Sequence, residues 1–308
     1  MSIPVLLFGK IAQLFVFLLL GFISVKTRLV KSEDSSAFSK ILLYLLTPAI
    51  VLEAFDVEMT PEIMKGFILS FVAAFATHIV MMIIDYFYRK TLRPGIVERA
   101  CAMYSNCGNL LIPIVISILG KEWVIYSSGF LCVQLFFIWT HALSLYSGER
   151  CFNFKKIFGN IILISVIVGA TFAFTGIRLP SFVKGITGPL SDMVGPISMI
   201  ICGMIATEVR PKSILRDRRL YIVMLIRMVI TPAICLVLIR LARSFIDIPN
   251  VENVLLITYL AIIAPTGASA VQFAQIYDKE PDFAVSVNII TTILCIATMP
   301  VFVALYLM

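Results

Sequence analysis

Residues 105–114 read Ser-Asn-Cys-Gly-Asn-Leu-Leu-Ile-Pro-Ile, inside an apolar segment that runs from about Glu98 to Ile118. The segment is long enough to cross a bilayer. A helix in hydrocarbon has no water to satisfy a broken backbone hydrogen bond. Yet this one places Asn106, Gly108, Asn109 and Pro113 near its middle. Glycine accepts backbone angles that other residues resist, and proline removes a donor. The reading is a helix that breaks at mid-depth, which is tolerated only inside protein or beside a polar cavity. A second such segment lies at about Glu252 to Gln275, interrupted at Ala264-Pro265-Thr266-Gly267-Ala268. Paired interrupted spans in corresponding positions of two halves are the best sequence pointer to a transporter's binding site.

Working outward, the 308 residues are 60% hydrophobic and only 14% charged. Soluble domains carry roughly a quarter charged residues, so the chain is read as an integral membrane protein. Apolar runs separated by charged breaks give ten spans, at about 4–26, 37–55, 65–88, 98–118, 123–147, 157–176, 190–208, 219–242, 252–275 and 283–306. The apolar N-terminal run is kept as a mature span, because Lys10 interrupts it and no A-x-A cleavage site follows. The loops are too short for a separate soluble domain. Of seven cysteines, Cys101, Cys107, Cys132, Cys202, Cys235 and Cys295 fall in spans. They read as small packing residues, not a disulfide framework.

The net charge of +7 is a matter of topology, not of nucleic acid. Connections after odd-numbered spans hold 17 of the 25 Lys and Arg residues, against 7 on the other side, with Arg227 inside span 8. The positive-inside rule then puts those connections in the cytoplasm and both termini outside the cytoplasmic (inner) membrane. Five spans per half is an odd number, so residues 151–308 enter the membrane upside down relative to residues 1–150. The expected fold class is an all-α polytopic membrane protein: ten transmembrane helices as two inverted five-helix repeats, with the broken helices 4 and 9 crossed. The placement of polar and kinking residues agrees. Pro48 in span 2 answers Pro196 in span 7, and Gln134 and Thr140 in span 5 answer Asn288, Thr291 and Thr292 in span 10.

Both breaks lie ~15–20 Å into their spans at 1.5 Å per residue, near the centre of a ~30 Å core. Two breaks at one depth let the spans cross. The second half-helices then begin at the crossing, with free N–H groups and positive dipole ends converging on one point. An anion, a carboxylate in particular, is the natural guest. The candidate substrate-binding residues are Asn106, Gly108, Asn109, Pro113, Gln134, Pro265, Thr266, Gly267, Gln272 and Asn288, with Asn106, Asn109 and Thr266 as neutral donors. The plainer account is that proline and glycine merely kink these helices, as is common in membranes; two kinks matched in position and flanked by polar residues argue against it.

Other polar residues have simpler readings. Arg227, eight residues into span 8, is expected to snorkel to the cytoplasmic surface or to pair within the scaffold. His78 and His141 read as hydrogen-bonded packing residues. Glu53 and Asp56 read as solvated, and Asp85 with Arg89, one turn apart, as a local ion pair. Gln275 joins Gln272 as a candidate pathway residue. No metal-ligand cluster, phosphate loop or Ser/His/Asp spacing appears, so no catalytic residue, metal or cofactor is expected. An intramembrane enzyme would need paired carboxylates or a Ser/His pair at mid-depth. A sensor would ordinarily bring a soluble output domain.

The stretches quoted above resemble the auxin efflux carrier family, which includes PIN-type plant carriers and bacterial malate or malonate permeases. SNCGNLLIPI is similar to the family's first crossover through Asn106, Gly108, Asn109 and Pro113, though Leu111 stands where a second glycine is usual. IIAPTGASAVQFAQIY resembles the second crossover through Pro265, Ala268 and Tyr277. LLTPAIVLEAF is similar to the family's span-2 ending, and TTILCIATMP to its late motif, through Thr292, Leu294, Thr298 and Pro300. The resemblance implies a bile-acid-symporter or sodium–proton-antiporter-like fold. It implies scaffold helices 1, 2, 6 and 7, transport helices 3–5 and 8–10, and a homodimer. It also implies a secondary carrier of a small organic anion, such as malate, malonate or an auxin-like acid, working by alternating access. The coupling ion, H+ or Na+, is left open. A sodium-coupled symporter of a larger amphipathic anion is the rival within transport.

Overall fold

The computed structural model describes residues 3–149, 154–207 and 217–308. The basic loop around Arg210, most of the join at Cys151–Lys156, and the side chains of Lys10 and Asn109 lie outside the described residues. The described residues are helical, with no strand among them. Twelve helices matter here. They are α1 (Ile3–Lys26), α2 (Ser32–Ala54), α3 (Pro61–Leu92), α4 (Ile96–Met103), α5 (Ile112–Ile118) and α6 (Lys121–Ser147), then α7 (Ile161–Thr175), α8 (Ser181–Ala206), α9 (Arg218–Arg243), α10 (Val251–Ile263), α11 (Ala268–Ile276) and α12 (Pro281–Leu307). Helices α2, α3, α6, α8, α9 and α12 are long and apolar enough to cross a membrane, and apolar stretches of α1, α7 and α10 are shorter. The interrupted segments fall between α4 and α5 and between α10 and α11.

Helix ends follow local chemistry. The Thr60 hydroxyl accepts the Ile63 N–H, Pro61 takes the first turn where its missing donor costs nothing, and Arg93 closes α3 in the left-handed region. At 32 residues, α3 is ~48 Å long, so a ~30 Å core requires it to tilt or protrude. Segments Leu42–Leu46, Cys107–Leu111 and Ile226–Ile230 are π-turns, and each runs directly into Thr47-Pro48, Ile112-Pro113 or Thr231-Pro232. A proline ring displaces the carbonyl four residues back, and the widened turn absorbs that displacement.

Helices α1 and α8 touch backbone to backbone. A Cβ at Gly21 would lie 2.2 Å from the Ile200 carbonyl oxygen, and one at Gly203 would lie 1.9 Å from that of Leu18. Small residues serve helix packing in this way where hydrocarbon supplies no hydrophobic drive. Polar contacts also tie helix ends to one another. Arg219, in the first turn of α9, reaches Glu98 of α4 and Glu280 before α12, while Ser32, which begins α2, donates a hydroxyl hydrogen bond to the Met204 carbonyl near the end of α8. Elsewhere, Asp56 after α2 accepts the Leu179 N–H and pairs with Lys184 of α8.

Three sequence readings are corrected by these contacts. Span 7 begins at Ser181, not near residue 190. Its first turns are held by Lys184 on Asp56 and by the Thr187 hydroxyl, which donates to Glu53 at 2.8 Å. Glu53 and Asp56 are therefore structural acceptors, not merely solvated groups. Asp85 does not pair with Arg89. It takes both Nε (2.9 Å) and Nη2 (2.6 Å) of Arg99, while Arg89 lies over the Tyr86 ring. A planar guanidinium that can bond both carboxylate oxygens prevails over a helical neighbour one turn away.

Candidate functional site

The two breaks meet. Ser105 and Thr266 form an isolated antiparallel pairing: the Asn106 N–H donates to the Pro265 carbonyl and the Gly267 N–H to the Tyr104 carbonyl, each at 2.8 Å. Backbone that left one helix is thus satisfied by backbone that left another. This is the condition for irregular chain inside hydrocarbon. Gly267 makes the contact possible, because a Cβ there would stand 2.7 Å from the Ser105 carbonyl oxygen.

Each extended segment is held by the long helix that follows it. From α6, Gln134 Nε2 donates to the Ser105 carbonyl at 2.8 Å, and Gln134 Oε1 accepts the Ser105 hydroxyl at 2.8 Å and its N–H at 3.4 Å. From α12, Asn288 Nδ2 donates to the Thr266 carbonyl at 2.6 Å and the Thr291 hydroxyl accepts the Thr266 N–H at 3.1 Å. The Thr266 hydroxyl donates to the Cys101 carbonyl at 2.9 Å. In this structure the polar groups of Gln134 and Thr266 therefore grip the crossing instead of facing open space. Pro113 is buried on α5, near Gly195 of α8.

The four half-helix ends differ in how they are satisfied. The first halves, α4 and α10, present carbonyls, and Arg227 covers them. Its Nε donates to the Ala264 carbonyl at 3.1 Å, Nη1 to that of Met103 at 3.3 Å, and Nη2 to those of Ile262 and Ala264 at 2.7 Å each. Arg227 is 0% exposed. The snorkelling reading is corrected: the π-turn Ile226–Ile230 carries the side chain on its inner side, and the carbonyls of two broken helices offer what the aqueous surface would have offered. The second halves present N–H groups. Those of Cys107 and Gly108, and of Ala268 and Ser269, have no backbone acceptor among the described residues.

There is room at Gly108, and neutral donors lie near it in sequence or contact. A Cβ built on Gly108 meets nothing within 4 Å, whereas one on Gly267 meets backbone. The Asn106 amide, 5% exposed, has no partner among the described residues. Asn288 is half-buried, while Gln272 and Gln275 are exposed on α11. The crossing thus brings Asn106, Gly108, Pro265, Thr266, Gly267, Gln134 and Asn288 together, with the Asn109 backbone beside them. Gln272 lies a turn beyond Gly267 along α11.

Two neighbours were not legible as site residues. The Tyr104 hydroxyl donates to the Phe137 carbonyl at 3.1 Å and hydrogen-bonds His141 Nδ1 at 2.8 Å, tying the approach to the first break to α6. Tyr104 is adjacent to the pairing, which is the only signal the sequence held. His78 Nδ1 bonds the Ala74 carbonyl at 2.7 Å and its ring stacks on Phe137, in keeping with a packing residue.

A family model described as membrane transport protein matches the chain twice, over residues 6–155 and 151–303. A search of curated proteins gave no match.

Proposed function

The chain belongs to the membrane transport protein family of the auxin efflux carriers, and we propose that it carries a small organic anion, a mono- or dicarboxylate, across the cytoplasmic membrane by alternating access. Membership makes it a multi-pass membrane transporter, not an enzyme. The finer reading takes the ten spans as two inverted five-helix repeats, 1–150 and 151–308. The substrate carboxylate binds where the second half-helices begin. The observation that carries this is the division of labour at the crossing: the carbonyl ends are covered by Arg227, while the N–H groups that begin the second halves have no backbone acceptor among the described residues and lie beside Gly108 and Asn106. Helix N-termini supply positive potential to an anion, while the guanidinium at the crossing is already engaged by backbone carbonyls.

The test is uptake into proteoliposomes of a panel of labelled mono- and dicarboxylates, with and without proton gradients. Saturable uptake of at least one carboxylate is expected; a panel with no uptake would overturn the reading. Removing the Asn106 amide then deletes a hydrogen bond to a charged group, worth about 1.5–3 kcal/mol. Asn106→Ala is expected to weaken substrate binding roughly ten- to a hundred-fold while the melting temperature stays near that of the parent. Unchanged affinity by calorimetry would move the anion elsewhere.

The proposed orientation rests on the 17-to-7 distribution of basic residues. It puts both termini outside and the loop between α3 and α4 in the cytoplasm. A single cysteine at Pro94, in a background without other cysteines, should resist an impermeant thiol reagent in intact cells and react after permeabilisation. Labelling in intact cells would reverse the orientation.

A further inference from the structure

We propose that the Arg227 guanidinium is a resident cation, occupying the carbonyl cluster at which a crossed-helix carrier would otherwise hold a coupling metal ion, so that this carrier neither needs nor binds sodium there. The inference rests on the transport reading above, but its first test does not. In carriers with broken helices, unwound carbonyls and half-helix C-termini are the groups that coordinate a coupling cation. Here those groups are the carbonyls of Met103, Ile262 and Ala264, contributed by both broken helices. All three already accept N–H bonds from one side chain, 0% exposed, on a third helix.

Arg227 has no carboxylate partner among the described residues. An unpaired buried charge is rarely kept in a membrane without a purpose. Its compensation comes from the negative dipole ends of α4 and α10. A sodium or potassium ion would have to take the same oxygens and sit against a guanidinium that stays charged. The two cations exclude each other. Lysine is a poor substitute: its compact ammonium lacks the fixed fork that spans Met103 on one helix and Ile262 with Ala264 on the other.

The experiment begins with thermal unfolding of the purified protein at equal ionic strength in sodium, potassium and choline chloride. The parent protein is expected to melt at one temperature in all three. Arg227→Ala is expected to melt lower, and to regain stability saturably in ethylguanidinium chloride but not in choline chloride. Saturable stabilisation of the parent by sodium, or an Arg227→Ala protein as stable as the parent without added cation, overturns the proposal. If Arg227→Ala cannot be purified, Arg227→Lys is measured instead: a melting temperature below the parent's is expected, and one equal to it overturns the proposal. Malonate uptake in liposomes with and without a sodium gradient follows, with equal rates expected for the parent; acceleration by the sodium gradient also overturns the proposal. Absence of malonate uptake under every gradient counts against malonate as substrate and leaves the unfolding result standing by itself.

Discussion

Replacing Gly267 with alanine is expected to abolish transport and lower the melting temperature. The new methyl carbon would stand 2.7 Å from the Ser105 carbonyl oxygen and 3.1 Å from its carbon. Both are backbone atoms in a segment gripped by Gln134, so no flexible side chain can yield. The two extended segments must separate. That stretches the Gly267-to-Tyr104 and Asn106-to-Pro265 bonds, which are 2.8 Å each. Overpacking of this kind costs about 1–3 kcal/mol. The functional loss is expected to be greater, because the half-helix N-termini are aimed by that pairing. Gly108→Ala is the control. It meets open space, so stability should hold while the half-saturation concentration for substrate rises, the methyl group filling room proposed for the anion. Uptake kinetics and thermal unfolding on both variants decide the matter. A fully active Gly267→Ala protein would mean that close approach at the crossing is dispensable.

The crossing was legible because its signals are local. Asn106, Gly108 and Pro113 stand inside one apolar run and Pro265 and Gly267 inside another, and hydrocarbon leaves a broken helix few options. What could not be read is which partner satisfies which group. Arg227 shows the limit. Its depth of ~12 Å along a straight helix is compatible with snorkelling. Only the three-dimensional meeting of the Met103, Ile262 and Ala264 carbonyls supplies a better destination. Asp85 is a similar case: its helical neighbour Arg89 is visible in sequence, but the geometry that favours Arg99 is not. Gln134 and Asn288 were recognised as intramembrane amides. Sequence alone gives no ground for choosing between an amide that faces a substrate and one that holds a backbone.

That distinction yields the last prediction. Gln134→Leu keeps the approximate volume of the side chain and removes its hydrogen bonds. The Ser105 carbonyl then loses the donor at 2.8 Å, and the Ser105 hydroxyl and N–H lose their acceptor, all in a buried place. Each orphaned buried group costs about 1–3 kcal/mol, and no water in the hydrocarbon interior offsets the loss. Gln134→Leu is therefore expected to unfold at a distinctly lower temperature and to lose most of its uptake. Asn288→Leu, which frees the Thr266 carbonyl, should act in the same direction. Since Ser105 and Thr266 pair with each other, the two substitutions act on one unit. Their effects should be non-additive by about 0.5–3 kcal/mol in a double-mutant cycle. A substrate-contact role predicts another pattern: each single variant stable, affinity weakened, and no coupling in unfolding. If Gln134→Leu melts like the parent and only its substrate affinity falls, the amide belongs to the anion and not to the crossing.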